Sequence, residues 1–474
     1  MKKFFALLLA VILNFQLHSH PWKPSNYVII DTDAGIDDIR AICLLLASPD
    51  VRVLAITVSS GVLSPDNAYV KIKSLLNSFY HEGIPVGINR NNASSAQNLA
   101  TALNYEWGNE KDIDPGKAPD YLKVISDILS YEKTKITFIC LGGLNSAYNA
   151  IRTIPGFSSQ IKNIVWSSNG LNDIKGFNYA LDSKSAGSVL KGSVPVITVN
   201  TSGNRFFYND NLLSEIASIK NPYSEKVNTF MQSSTAKNHS FSYEINDELI
   251  PVYLHYPENF RTTPSGNNLE CIAENISGIS EGYLRIIKGE TVNRYQVIKK
   301  FPVDPSFYYD DINPYVTEII GKYGMEEWQS GVLACEMHRH LGVYAIIGVK
   351  MGIRVREYFN TGVDEFEVVT WAGSVSPLSC MNDGIQLSTG ATPGHGLLTV
   401  KNDSPAPVAE FSYLNKKIRI TLKPEINQKV AGELKELNFV YGLDSNIYWE
   451  LVREKAIKYW RDFDRHDIFI IEEL

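Results

Sequence analysis

The chain has 474 residues, 44% of them hydrophobic and 20% charged, with a formal net charge of −7. That length supports two or three domains, each with its own core. The absence of any long basic run excludes nucleic acid as a partner, because phosphate binding needs clustered Lys and Arg.

In chain order, Met1-Lys2-Lys3 is followed by one apolar run, Phe4 to Phe15, and then a polar stretch to His20. A basic start and a short apolar core read as a signal peptide over 1–20, which predicts export to a periplasm or secretion. The run is too short to span a bilayer, and no other stretch reaches that length, so no stable membrane span is expected. The five cysteines, an odd number, imply no disulfide framework, and Cys43 and Cys140 fall in apolar patterns that predict buried thiols.

Tyr27 to Ile30 reads as a buried strand and runs straight into Asp31-Thr32-Asp33-Ala34-Gly35-Ile36-Asp37-Asp38. From Asp37 an apolar stripe predicts a helix that ends at Ser48-Pro49-Asp50. Four carboxylates therefore share one strand-to-helix turn, at the end of the strand where open α/β sheets bind ligands. Acids this close repel one another unless a cation neutralises them, and hard oxygen donors suit Ca²⁺ or Mg²⁺. Acidic residues favoured by a helix N-terminus account for Asp37 and Asp38 but not for Asp31 and Asp33.

Strands follow at Val51–Ser59, Pro85–Ile88, Ile136–Leu141, Ile161–Ser167 and Val194–Val199, with helices at 65–79, 121–130, 145–154 and 183–190 between them. The polar stretch 89–119 reads as a loop that closes over the site, 221–240 as a longer polar helix, and 250–256 as an apolar helical segment. The alternation predicts an α/β fold with a mostly parallel, doubly wound sheet. A Pro-, Asp- and Tyr-rich linker at 301–314 precedes a different texture: helices at 315–323, 328–335, 344–359, 428–437 and 448–462, and strands at 365–371, 398–400, 408–414 and 417–422. That order predicts a second, α+β domain with an antiparallel sheet. The expected division is 26–305 and 306–474.

The Asp31–Asp38 stretch resembles the signature of the inosine–uridine-type nucleoside hydrolases, Asp-Thr-Asp-x-Gly-x-Asp-Asp before an apolar helix. The resemblance extends in order over roughly residues 26 to 305. Gly142-Gly143-Leu144-Asn145-Ser146 is similar to that family's Gly-Pro-Leu-Thr-Asn, Gly176-Phe177-Asn178 to its Glu-Phe-Asn, and Asn246-Asp247-Glu248-Leu249-Ile250 to its His-Asp-Pro-Leu-Ala. The resemblance implies a Ca²⁺ site of Asp33, Asp38, Asp247 and the Asn145 backbone carbonyl. It also implies that Asp33 acts as general base towards a water, that Asp37 holds a ribose hydroxyl, and that Asn178 binds the sugar. The family's Glu is Gly176 here and its His is Asn246, so the usual proton donor to the leaving base is missing; His239, Tyr243, Glu244 and a loop residue are candidates to replace it.

In the second half, Cys380 to Gly394 and Gly348-Val349-Lys350-Met351-Gly352 resemble the formylmethanofuran dehydrogenase E-like domain, over roughly 314–474. His338, His340, Cys380 and His395 offer the N and S donors that Zn²⁺ or another transition metal takes, although the Cys of the family's first motif is absent. The glycines of the later motif read as turn formers. The expected function is an exported, Ca²⁺-dependent hydrolase of N-glycosidic bonds in nucleosides or related ribosides, with catalysis by Asp33 and Asp37. The alternatives are a metal-dependent nucleoside- or sugar-binding protein, or a metal-handling protein acting through the second domain. The sequence leaves homo-oligomerisation open.

Overall fold

A computed structural model describes residues 23–91, 97–171, 176–201, 206–290 and 297–474; the expected signal peptide lies outside them. At the centre of the larger sheet runs β1, Asn26–Thr32. Its apolar residues alternate between two layers: Val28 and Ile30 join one buried cluster, Ile29 another on the opposite face. A strand buried on both faces needs such a continuous apolar run, and this one is found where the chain supplies it.

From β1 the chain continues through α1 (Ile36–Ala47), β2 (Val51–Val58), α2 (Pro65–Ser78), β3 (Val86–Ile88), α3 (Tyr121–Tyr131), β4 (Ile136–Cys140), α4 (Asn145–Thr153), β5 (Ile161–Ser167), α5 (Ser183–Leu190) and β6 (Val196–Asn200). Next come α6 (Pro222–Gln232), α7 (Leu249–His255), the hairpin β7 (Phe260–Ser265) and β8 (Asn268–Ala273), and α8 (Ile276–Ile287). The sheet order is β3-β2-β1-β4-β5-β6-β8-β7, parallel except for the β7 edge. The winding reverses between β1 and β4, so the ends of these two strands open a crevice. The edge hairpin and α8 were not expected. Two expected elements are also revised. The 221–240 helix breaks at Ser233, which caps a separate turn of helix. The 89–119 stretch, of which 92–96 are not described, is no free lid over its later part: Trp107 is buried against Phe230 of α6, and Lys71 of α2 pairs with Glu110 at 2.6 Å.

The second sheet forms from β9 (Glu367–Thr370), β10 (Leu398–Val400), β11 (Val408–Tyr413), β12 (Lys416–Leu422) and β13 (Phe469–Glu473), in the order β10-β9-β11-β12-β13. All its pairings are antiparallel except β9 with β10. Helices α9 (Met325–His338), α10 (Val343–Phe359), α11 (Cys380–Thr389), α12 (Pro424–Tyr441) and α13 (Asn446–Asp462) accompany it. Gly384 is not a turn residue. It sits inside α11 where that helix crosses α10, and a Cβ there would lie 2.1 Å from the Ala345 carbonyl oxygen. None of the described helices is long and apolar enough to cross a membrane.

The two halves meet at the amino-terminal ends of the parallel strands. Arg52, near the start of β2, pairs with Glu365 and donates to the Asn360 carbonyl. In the turn before β3, Gly83 N–H donates to Tyr358 C=O at 2.9 Å, and Arg354 pairs with Glu82 at 2.8 Å. His81 lies 2.6 Å from the Glu357 carbonyl and 2.7 Å from the Tyr223 hydroxyl. A carbonyl only accepts, so Nδ1 carries the proton and Nε2 accepts from the tyrosine. Burial pushes this imidazole down to about 4, which keeps it neutral.

Gly384→Ala should lower the unfolding free energy by about 2–3 kcal/mol, because backbone atoms of α10 cannot yield to a methyl group. Urea denaturation of the full chain measures this; an unchanged midpoint would contradict the close crossing.

Candidate active site

The turn after β1 is built from its own side chains. Ala34 takes a left-handed conformation, with φ of 60°. Its N–H donates to Thr32 Oγ1 at 3.0 Å, and that hydroxyl donates to Asp38 Oδ1 at 2.5 Å. The Asp33 N–H reaches the same Asp38 oxygen at 3.3 Å. Asp31 is fully buried, and its oxygens accept from Thr57 at 2.6 Å and Ser59 at 3.0 Å, tying β1 to β2. Burial pushes Asp31 up to about 7.

Asp33 is the exposed end of this arrangement in chemical terms only, because its side chain is buried and neither oxygen takes a hydrogen bond of ordinary geometry. Two glycines make its niche. A Cβ at Gly61 would sit 1.9 Å from Asp33 Oδ2, and one at Gly142, just after β4, 3.1 Å from it. Asp37, Asp38 and Asp247 bring carboxylate oxygens within 4.8 Å of one another, and among the described residues no other three His, Cys, Asp or Glu side chains do so. Asp247 enters from the segment before α7, also reached by the Ser167 hydroxyl at the end of β5.

The electrostatics follow from this packing. Burial and then the Asp37 charge push Asp38 up to about 6. Burial and the neighbouring aspartates raise Asp33 and Asp247 well above the usual carboxylate range. Asp38 and Asp247 are close enough to share a proton. An orphaned buried carboxylate beside three crowded ones is a donor set that fits a hard divalent cation.

Asn145 opens α4 with its side chain engaged on every side. Nδ2 donates to Asp182 at 2.8 Å, while Oδ1 accepts from Asn89 at 3.1 Å and Asn149 at 3.0 Å. The role the sequence implied falls to its backbone carbonyl, which belongs to the first turn of α4. Asn178 donates to the Leu141 carbonyl at 2.6 Å and the Ser167 carbonyl at 3.0 Å, tying the ends of β4 and β5. What it can still offer a sugar is Oδ1. The three expected substitutes for the missing His, namely His239, Tyr243 and Glu244, all lie on the segment leading to Asp247. His239 is bonded to the Thr235 carbonyl, and Glu244 sits in a two-residue ladder with Phe207. Asn89 was missed by sequence reasoning. It is fully buried, directly follows β3, and also donates to Ser146 at 3.1 Å; a polar residue abutting an apolar strand was its only signal.

The expected second metal set does not assemble. His338 pairs with Asp383, His340 Nδ1 lies 3.2 Å from the His338 carbonyl, and His395 lies 3.4 Å from Asp364. Cys380 begins α11 while His395 follows that helix's far end, and ten helical residues extend about 15 Å.

Residues 28–303 match the family model for inosine-uridine preferring nucleoside hydrolase, and the chain belongs to that family. Residues 337–452 match the model FmdE, described as molybdenum formylmethanofuran dehydrogenase operon. Similar proteins include the pyrimidine-specific ribonucleoside hydrolase RihA of Escherichia coli O127:H6, 27% identical over 187 residues, covering 36% of this chain and 58% of RihA. The inosine-uridine preferring nucleoside hydrolase of Leishmania major is 27% identical over 186 residues, covering 36% and 59%. Uridine nucleosidase 1 of Arabidopsis thaliana is 25% identical over 249 residues, covering 49% and 72%. The chain thus spans only 58–59% of the length of the first two. Among solved structures, the purine-preferring ribonucleoside hydrolase from Gardnerella vaginalis aligns with a TM-score of 0.46 at 15% identity, covering 56% of this chain and 98% of that one. A plant nucleoside hydrolase aligns with 0.47 at 18%, covering 56% and 99%.

Because burial raises these carboxylates, the cation-free native state holds more protons than the unfolded chain between about pH 4 and 7, so its stability falls as pH rises through that window. For Asp38 alone, a rise from 3.8 to about 6 corresponds to roughly 3 kcal/mol. In chelator, the melting temperature should drop between about pH 4.5 and 7.5, and millimolar Ca²⁺ should reverse the drop. A melting temperature that ignores both pH and Ca²⁺ would contradict the site.

Proposed function

We propose that the protein is an exported hydrolase that cleaves the N-glycosidic bond of nucleosides or related ribosides with the help of Ca²⁺. The observation that carries this reading is the buried Asp33 carboxylate, left without a hydrogen bond of ordinary geometry, beside Asp37, Asp38 and Asp247 at the reversal point of the sheet. Asp33, Asp38, Asp247 and the Asn145 carbonyl would hold the ion. When bound, Ca²⁺ supplies Lewis acidity that acidifies a water and neutralises the cluster.

The protein's own groups do the rest. Asp33 takes the proton of the attacking water. Asp37, the half-buried member of the group, accepts a hydrogen bond from a ribose hydroxyl, and Asn178 Oδ1 accepts another. Holding the sugar this way lets positive charge develop at the anomeric carbon as the C–N bond breaks. Asn246 stands where the family's motif has His, and an amide has no proton to give. Its backbone N–H donates to Glu248 Oε2 at 3.0 Å. Departure of a basic leaving group is therefore unassisted at this position, and the enzyme works best on ribosides whose leaving group needs no proton. Residues 1–20 support delivery of the protein out of the cytoplasm.

On this reading, purified protein hydrolyses p-nitrophenyl riboside faster than inosine or uridine, and chelator abolishes the reaction. Asp33→Asn should reduce kcat by at least about 10³-fold while the protein stays folded. Failure to turn over any riboside in the presence of Ca²⁺ would sink the assignment, as would full activity in Asp33→Asn.

A further inference from the structure

The segments that carry the carboxylates are far apart in the chain. Asp37 and Asp38 begin α1, whereas Asp247 precedes α7. Each has a charged, fully buried neighbour: Arg40 two residues after Asp38, and Glu248 directly after Asp247. Arg40 Nε lies 2.6 Å from Glu248 Oε1, with the side chains 1% and 0% exposed. The same guanidinium donates to the Glu244 carbonyl at 2.9 Å and, more closely, to the Ser242 carbonyl. It lies over the Tyr208 ring. Glu248 accepts from the Tyr208 hydroxyl at 2.8 Å and from the Asn246 N–H at 3.0 Å, and Tyr208 is bonded to Tyr283 at 3.0 Å. One side chain of α1 thus grips residues 242, 244 and 248, and Asp247 lies within that stretch.

Stability does not require such a pair, since buried ion pairs often do no better than apolar residues of the same volume. Both charges also stand against their local patterns. Arg40 interrupts the apolar run of α1, and Glu248 occupies the Pro position of the motif it resembles. Their common feature is adjacency to cluster carboxylates on both sides.

We propose that Arg40 and Glu248 are positioning residues that fix Asp247 against Asp38 at the spacing a divalent cation requires. The proposal rests on the reading of this cluster as a cation site. It makes a prediction opposite to simple electrostatics. Arg40→Met leaves Glu248 as an added negative charge, which alone would strengthen cation binding; lost positioning weakens it.

The test is Ca²⁺ titration calorimetry and Tb³⁺ luminescence on the full chain, with thermal unfolding in chelator alongside. Arg40→Met and the charge-neutral pair Arg40→Met with Glu248→Gln should each bind Ca²⁺ at least about tenfold more weakly than wild type. Arg40→Lys keeps the charge but cannot reach both carbonyls and the carboxylate, so it should fall between. It serves as the measure if the Met variants do not fold. Wild-type affinity in a folded Arg40→Met or Arg40→Lys variant, or tighter binding in Arg40→Met, would overturn the positioning role while leaving the cation site intact. No Ca²⁺ or Tb³⁺ binding by the wild type would overturn the cation site itself and this proposal with it.

Discussion

Carboxylates do not share a dry niche without something to offset their charge. At the end of β1 the fold places Asp33, Asp37 and Asp38 within six positions, brings Asp247 in from the far side, and buries three of these four. Burial is the largest influence on Asp33, Asp38 and Asp247, and the charges of other aspartates come next. Protons or a metal ion must therefore balance them, and the two compete. Most of what surrounds the turn makes sense as support for that tension. Gly61 and Gly142 leave room for Asp33, Thr32 orients Asp38, and Asp31 fastens β1 to β2 through two hydroxyls.

The legible part of the site was the part compressed into one stretch of chain. Asp31 to Asp38 carries its strand, its glycine and its acids together, so periodicity and charge reveal the turn directly. Asp247 was legible only through its resemblance to a family motif, because nothing local distinguishes it from a helix cap. Asn89 showed only as a polar residue abutting an apolar strand, and the glycine walls and the Arg40–Glu248 pair were not legible at all. Each depends on residues brought together by the winding of the sheet. The alternation of strands and helices exposed the parallel sheet. The β7–β8 hairpin escaped because the β7 edge carries Arg and Thr, as edge strands do, and Asn and Glu interrupt the apolar pattern of β8.

The second half shows the opposite failure. Its Cys380–Gly394 motif was conspicuous, and its chemistry was misread. Gly384 reads as a loop glycine from composition, yet it lets two helices touch backbone to backbone. His338 and His340 lie side by side, with ring centroids 5.3 Å apart, but Cys380 and His395 stand at opposite ends of α11. Types of residue suggest a ligand set; only a fold that converges them makes one. In the first half four aspartates converge, and in the second the four expected donors do not.

The join between the halves has a consequence for the history of such a fusion. Arg52 is buried near the start of β2, and its guanidinium bonds run to Glu365 and the Asn360 carbonyl. His81 donates its ring proton to the Glu357 carbonyl. Once interior charges and donors of one module depend on acceptors in its neighbour, either module alone is left with unpaired buried groups. The fusion is then entrenched: point mutations can retune the crevice at the other end of the strands, roughly 20 Å away along β1, but excising the appendage no longer restores a self-sufficient ancestor.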